Sequence, residues 1–159
     1  MSRLQIRQDD LTGSKVVALL EEHLEDIKKI TPPESIHALD LLDLKALRSQ
    51  SPDITFYTAW EDDELLGCGA LKELDSTSGE VKSMRTAKAH RRKKVASKIL
   101  EHIIREAKRR SYEHLNLETG SFPEFVPARA LYTVYGFEYR SPFAEYIDDP
   151  NSVFMTKKL

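Results

Sequence analysis

The fold of this chain is easiest to infer from residues 90–110, which read HRRKKVASKILEHIIREAKRR. A run of cations at positions 91–94 is followed by apolar residues that recur at i, i+3 and i+4 spacing. These apolar residues are Val95, Ala96, Ile99, Leu100, Ile103, Ile104 and Ala107. Such spacing is typical of an amphipathic α-helix, so the sequence predicts a helix that begins near Lys94 and buries one broad face.

Prolines and turn-forming residues divide the rest of the chain into short elements. Alternating or β-branched patterns predict strands at 4–6, 54–60, 65–74, 80–86, 114–119, and near 137–141 and 152–158. Helical spacing predicts a helix from an N-cap at Ser14 to about Ile30, another within 36–50, and a last one within 127–137. The order β, α, α, β, β, β, α, β, α, β, β indicates an α/β domain in which helices cover a sheet.

Composition limits the class of protein. The 159 residues are 31% charged and 40% hydrophobic, which suits one globular domain spanning residues 1–159. The net charge is −2, so the cations at 91–94 are a local feature, and a nucleic-acid binder, which usually has a basic domain, is disfavoured. We expect neither a signal peptide nor a membrane span, because no sufficiently apolar stretch is present. The single cysteine, Cys68, allows no intrachain disulfide and favours a reducing cytoplasm.

The cations at 91–94 lie where a helix would begin, which is an unusual place for positive charge. A helix N-terminus has about four N–H groups without partners and carries roughly half a positive charge. An anion such as phosphate accepts hydrogen bonds from these N–H groups and neutralises the positive charge. Each charge-assisted hydrogen bond contributes about 1.5–3 kcal/mol. The alternatives are a solvated charge run on a turn or a nucleic-acid contact. A P-loop is not supported, because the GxxxxGK[ST] pattern is absent.

Two stretches in this region resemble motifs of one family. EVKSMRTAKAHRRKKVASKILEHII, residues 80–104, resembles the acyl-CoA-binding signature of the GNAT N-acetyltransferase superfamily, whose usual form is Arg/Gln-x-x-Gly-x-Gly/Ala. ARALYTVYGF, residues 128–137, resembles the family's A-x-x-LY-x-x-x-GF helix and strand. Two departures are that Lys94 replaces the first glycine of the signature and that Phe125 stands where an asparagine is frequent. The resemblance implies a GNAT-like fold with a mixed, mostly antiparallel sheet of about six or seven strands and about four helices.

The resemblance also implies where acetyl-CoA would bind. The main chain around Met84 and Thr86 would pair with the pantetheine arm as an added strand, and would supply a donor to the acetyl oxygen. Amides from Arg92 to Ser97 would hold the pyrophosphate, and Arg91 and its neighbours would add charge. The predicted cofactor-binding residues are Met84, Arg85, Thr86, Arg91, Arg92, Lys93, Lys94, Val95, Ala96 and Ser97.

Acetyl transfer to an amine requires a base for the acceptor and an acid for the leaving thiolate. Tyr132 lies at the family position for the acid, and a phenol with a pKa near ~10 stays protonated at neutral pH. The sequence alone favours a packing tyrosine on an apolar helix, and the match to the family motif favours the acid. Glu80 and Glu118 are two candidates for the base, each of which needs a raised pKa to work near neutrality.

The acceptor side is less well marked in the sequence. His37 lies between the first two helices, where members of the superfamily often line the acceptor site, and Phe122 and Phe125 flank a proline in a loop at the expected mouth. Cys68 fits a buried strand better than a nucleophile. No metal-ligand spacing is present, so no metal is expected.

We therefore expect a cytoplasmic, acetyl-CoA-dependent N-acetyltransferase, in which a small-molecule or peptide amine attacks directly. The alternative is a non-catalytic acyl-CoA-binding or regulatory module that has the same fold, which the two departures favour. No nucleic-acid or membrane partner is expected, and a homodimer through the last strands is possible for the family.

Overall fold

A computed structural model describes residues 4–30, 53–87, 94–144 and 146–159. One sheet has the strand order β1-β2-β3-β4-β5-β7-β6. The strands are β1 (Leu4–Asp9), β2 (Ile54–Glu61), β3 (Glu64–Asp75), β4 (Ser78–Thr86), β5 (His114–Gly120), β6 (Glu138–Arg140) and β7 (Ser152–Lys158). The described helices are α1 (Ser14–Ile30), α2 (Val95–Arg109) and α3 (Val126–Val134), with a 3₁₀ turn at Pro123–Phe125.

The architecture confirms the predicted α/β class, and the described elements follow the predicted order. Every strand pair is antiparallel except β4–β5, which is parallel, so the sheet is mixed and mostly antiparallel. The helix predicted within 36–50 lies outside the described residues. One detail differs, because Ser14 is the first helical residue and the carbonyl of Gly13 accepts from the Val17 amide at 3.0 Å. Ser14 is therefore not the N-cap.

Helix α2 buries its predicted apolar face against one side of the sheet. Ile99, Leu100 and Ile103 are fully buried, and each such side chain contributes about 1.5–3 kcal/mol of transfer free energy. They pack with Leu115 and Leu117 of β5 in a single apolar cluster. Of the predicted stripe, Ala96 is only partly buried.

Helix α1 covers the other side of the sheet at β2 and β3. Val16 and Leu20 pack there with Phe56, Cys68 and Ala70 in a second apolar cluster. Cys68 is fully buried, and burial raises the pKa of its thiol to about 12, so its predicted place in the core is confirmed. The sheet is thus enclosed between helices, as an α/β domain requires.

Strand β4 carries a bulge that shapes the middle of the sheet. Its pairing with β3 shifts between Cys68↔Arg85 and Ala70↔Lys82, so β4 has one more residue than β3 over this interval. Ser83 lies within it at a φ of 56°, in the left-handed region. Opposite the bulge, a Cβ on Gly69 would come within 2.6 Å of Met84 Sδ, which explains why this position is glycine.

Candidate active site

Strands β4 and β5 diverge in the middle of the sheet. They pair in parallel only from Ser78↔His114 to Val81↔Leu117, although β4 continues to Thr86 and β5 to Gly120. The bulge at Ser83 begins where this pairing ends. The main chain of the second half of β4 therefore faces an open cleft instead of a neighbouring strand, as predicted for a strand that a ligand can extend.

The cleft has a cavity volume of about 140 Å³. Its apolar lining residues come from α1, β4, the segment after β5 and α3, and its polar lining residues come from α1, β4, β5, α3 and the start of β7. The lining residues are His23, Ile27, Val81, Lys82, Ser83, Met84, Glu118, Thr119, Gly120, Phe122, Phe125, Ala128, Tyr132, Asn151 and Ser152.

Both phenylalanines predicted at the substrate mouth line this cleft. Phe125 packs directly on Gly120 at the end of β5, because a Cβ on that glycine would come within 2.3 Å of the Phe125 ring. The 3₁₀ turn Pro123–Phe125 thus fixes the ring at the edge of the cavity. Gly120 is therefore required for the shape of the cleft wall.

Two predicted carboxylates meet around a lysine on this face of the sheet. Glu80 and Lys82 of β4 are buried, and they interact electrostatically with each other and with Glu118 of β5. Burial raises the pKa of Glu80, and burial lowers the pKa of Lys82, while the nearby opposite charges act in the other direction. The Tyr146 hydroxyl donates to Glu80 Oε2 at 2.6 Å. Of the two carboxylates, only Glu118 lines the cleft.

Glu118 has the pKa of a base that functions near neutrality. Burial is the main cause of the rise to about 7, and the charges of Glu80 and Asp149 add to it. Lys82 and the Ser152 side chain act against the rise. A carboxylate with this pKa is about half ionised at pH 7 and holds an accepted proton far better than an ordinary glutamate.

The N-terminus of α2 lies just beyond the end of β4. Its N-cap, Lys94, has a φ of 61°, and the Lys94 side chain makes no capping hydrogen bond. The amides of Val95, Ala96 and Ser97 are first-turn donors, which have no partner within a helix. Lys94 therefore adopts the left-handed backbone that suits the glycine of the GNAT signature. Predicted residues Arg91, Arg92, Lys93 and His37 lie outside the described residues.

Comparison with known proteins identifies the family. The profile described as "Acetyltransferase (GNAT) family" matches residues 14–137, most of the chain. The chain belongs to the GNAT acetyltransferase family. It is 59% identical over 156 residues to "Uncharacterized N-acetyltransferase YsnE" of Bacillus subtilis (strain 168), covering 98% of this chain and 100% of that one. It is 44% identical over 154 residues to "Uncharacterized N-acetyltransferase YedL" of Escherichia coli (strain K12), covering 97% and 94%.

A solved structure agrees on the fold. The PaiA N-acetyltransferase of Thermoplasma acidophilum, in complex with coenzyme A, superimposes with a TM-score of 0.75 at 19% identity, and all of each chain is covered. The profile match and the two curated relatives confirm the predicted family and the predicted N-acetyltransferase class.

Tyr132 of this GNAT chain lies in the cleft wall with Glu118. It is 7% exposed, and its ring meets Phe137 edge-on at 5.7 Å. Burial, and then the charge of Glu118, raise the pKa of its hydroxyl. The phenol therefore stays protonated at any physiological pH.

The GNAT chain also has a bridge between α1 and β4 that the sequence did not indicate. Arg85 Nη2 donates to Glu22 Oε1 at 2.6 Å and to Asp26 Oδ2 at 2.5 Å. The Arg85 side chain is 9% exposed, so the contact is well shielded from solvent. It attaches the helix turn that carries His23 to the strand that borders the cleft. The partners are about sixty residues apart in the chain, and no local pattern links them.

Over the described ranges, no group of three or more metal-ligating side chains is found. None of the described helices is long and apolar enough to cross a membrane.

Proposed function

We propose that the chain transfers the acetyl group of acetyl-CoA directly to a primary amine, with Glu118 as the general base and Tyr132 as the acid. The observation that carries this proposal is the position of Glu118, which faces the cleft with a pKa of about 7. An alkylammonium with a pKa near ~10.4 must lose a proton before it can attack. Glu80 is the weaker candidate for the base, because Tyr146 occupies one of its oxygens and it does not line the cleft.

The coenzyme fits the surroundings of the cleft. Beyond Val81, the main chain of β4 has no neighbour in β5, and the Lys94 side chain does not cap the first-turn amides of α2. Main-chain groups of Met84, Arg85 and Thr86 would hold the pantetheine arm, and amides up to Ser97 would hold the pyrophosphate. The cations Arg91, Arg92, Lys93 and Lys94 would add charge. When bound, acetyl-CoA supplies the acyl group, and a solved relative of the same fold contains coenzyme A.

Proton transfer couples the base to the acid. The negative charge of Glu118 is one cause of the raised pKa of Tyr132. Once Glu118 accepts the amine proton it is neutral, so that cause disappears and Tyr132 becomes a better donor toward the leaving sulfur. The main chain of β4 beside the bulge would donate to the acetyl oxygen. The new C–N bond forms as the C–S bond breaks, and the thiolate takes the Tyr132 proton. The nitrogen then loses its second proton to the tyrosinate through solvent, which restores Tyr132, and Glu118 releases its proton to solvent.

We also propose that the protein works in the cytoplasm. Its free thiol, Cys68, is fully buried and unpaired with another cysteine in the described residues, which suits a reducing compartment. The possible homodimer stays a prediction.

The proposal is tested by acetyl-CoA turnover with an amine panel, measured as thiol release. Glu118→Gln removes the base, so kcat/KM falls by about 10²–10⁴-fold and the acid limb of the pH profile near 7 disappears. Glu113→Gln changes a solvent-exposed carboxylate just before β5 and is the matched control. Stabilisation by acetyl-CoA in a thermal-shift assay should persist in both variants. Full activity of Glu118→Gln with an unchanged acid limb would refute the role of Glu118.

A further inference from the structure

Two buried polar atoms without partners lie at the same cleft. In the described residues, such side-chain atoms are His23 Nδ1, Ser83 Oγ, Arg85 Nε and Thr156 Oγ1. A buried polar atom without a hydrogen bond destabilises the folded state, so each needs a physical reason. His23 and Ser83 both line the cleft. A ligand that bonds to both would provide that reason.

The position of each residue is fixed by the fold. His23 lies between Glu22 and Asp26 on α1, and these two carboxylates hold Arg85 of β4. Ser83 lies in the β4 bulge, where its left-handed backbone turns the side chain from the regular alternation of the strand. Both groups are therefore presented by rigid elements, as a binding site requires.

The imidazole of His23 is neutral at physiological pH. Burial, and then the charge of Arg85, lower its pKa to about 4. One ring nitrogen of a neutral imidazole accepts a hydrogen bond, and the hydroxyl of Ser83 both donates and accepts. Both can therefore accept the N–H hydrogens of an uncharged amino group, which leaves its one lone pair free to attack.

Apolar side chains supply much of the lining of the same cleft. They are Ile27, Val81, Met84, Phe122, Phe125 and Ala128, and the charged lining residues in the described ranges are Lys82 and Glu118. Glu118 is already assigned to proton transfer, and Lys82 interacts with Glu80. Among the described lining residues, no further charge is left to pair with a second charge on the acceptor, so an apolar body is favoured.

We propose that His23 and Ser83 hydrogen-bond the acceptor's amino group, and that the acceptor is a primary amine on an apolar body without a second charge. This inference rests on the proposed function and deepens it. The two residues are positioning residues. They orient the lone pair of the amine toward the acetyl carbon, while Glu118 takes the proton.

The substrate class is tested with four amines and acetyl-CoA. We expect kcat/KM for 2-phenylethylamine and hexylamine to exceed that for L-lysine and spermidine by at least about tenfold, a ratio equivalent to about 1.4 kcal/mol. A tenfold preference for L-lysine or spermidine, which carry further charges, would overturn the assignment of an apolar acceptor.

The roles of His23 and Ser83 are tested by three variants in the same assay. His23→Leu and Ser83→Ala should raise KM for 2-phenylethylamine by about tenfold, with little change in KM for acetyl-CoA. His23→Asn should recover most of the loss, because an amide again offers a polar partner. His102→Asn is the matched control, since His102 lies on α2 against Tyr57, away from the cleft.

The Tm of the Ser83→Ala variant distinguishes a role of Ser83 in binding the acceptor from a role in packing. Because Ser83 Oγ is unpaired, Ser83→Ala should leave the Tm of the ligand-free protein unchanged or raise it by about 2 °C. A lower Tm with an unchanged KM would show that the residue serves packing only.

Calorimetric titration of 2-phenylethylamine into the CoA-loaded protein separates failure of this inference from failure of the proposed function. Binding that depends on His23 but leads to no turnover would refute only the proposed function. Turnover that does not depend on His23 or Ser83 would refute only the present inference. Absence of both binding and turnover would refute both.

Discussion

The two faces of strands β4 and β5 differ sharply, although the same two strands form both. On the α2 face, Val81, Leu115 and Leu117 are buried in an apolar cluster. On the opposite face, the neighbouring residues in the same strands include Glu80, Lys82 and Glu118, which are charged side chains with shifted pKa values. The apolar face thus stabilises the fold through burial. The charged face lowers the stability of the fold, because buried ionisable groups are unfavourable, and a catalytic role accounts for their presence.

The largest expected effect is a loss of stability caused by a substitution on the apolar face. Leu117→Ala removes a side chain that is 1% exposed, and we expect a loss of about 2–5 kcal/mol in the free energy of unfolding. Urea denaturation measures the loss. A loss below about 1 kcal/mol would mean that the two faces contribute alike to stability.

The next effect concerns the charged face and its dependence on pH. In the folded protein, the pKa of Glu118 rises from 4.5 to about 7. Because the folded pKa exceeds the unfolded one, the folded state favours the protonated form. The stability associated with that proton is present below pH 4.5 and is lost as the pH rises through 7. At 1.36 kcal/mol per pKa unit, the loss approaches about 3 kcal/mol.

Glu118→Gln checks this sign, because glutamine stays neutral. The free energy of unfolding of the variant minus that of the wild type should increase between pH 4.5 and pH 8, measured by urea denaturation at each pH. A difference that stays constant over this interval would contradict the raised pKa.

The smallest effect concerns strain at the edge of the cleft. Lys94→Gly relieves a left-handed backbone and should stabilise the protein by about 1 kcal/mol. Lys98→Gly, in the exposed interior of α2, should instead destabilise it by about 1 kcal/mol. Thermal denaturation compares the two. Equal shifts of the same sign would show that the backbone of Lys94 is not strained.

The contrast between the faces also explains how much of the molecule could be predicted from sequence. Helix α2 could be located because its apolar period is local, and the strands followed from alternation and turn residues. The family motif predicted a role for Tyr132, and strand and loop positions predicted Glu118, Phe122 and Phe125. The structure brings all four to one cleft.

Other parts of the site have no local signal. Lys82 looks like an ordinary strand residue in the sequence, and only the pairing of β4 with β5 places it between two carboxylates. The bulge at Ser83 depends on the register with β3, and the bond from Tyr146 to Glu80 joins residues 66 positions apart. Arg85 was predicted to bind the cofactor as part of the main chain from Met84 to Thr86, and nothing was predicted for its side chain, which bridges to α1. Each depends on tertiary contacts that periodicity does not encode.

The short parallel pairing between β4 and β5 has a mechanical consequence. Four paired positions are the only backbone ladder that joins β1–β4 to β5–β7 within the described sheet. The seam is thus the place where the two halves open most easily. A coenzyme arm lying along β4 would hold the two halves together at this seam. Amide hydrogens of β5 would then exchange more slowly with solvent deuterium in the coenzyme-bound enzyme.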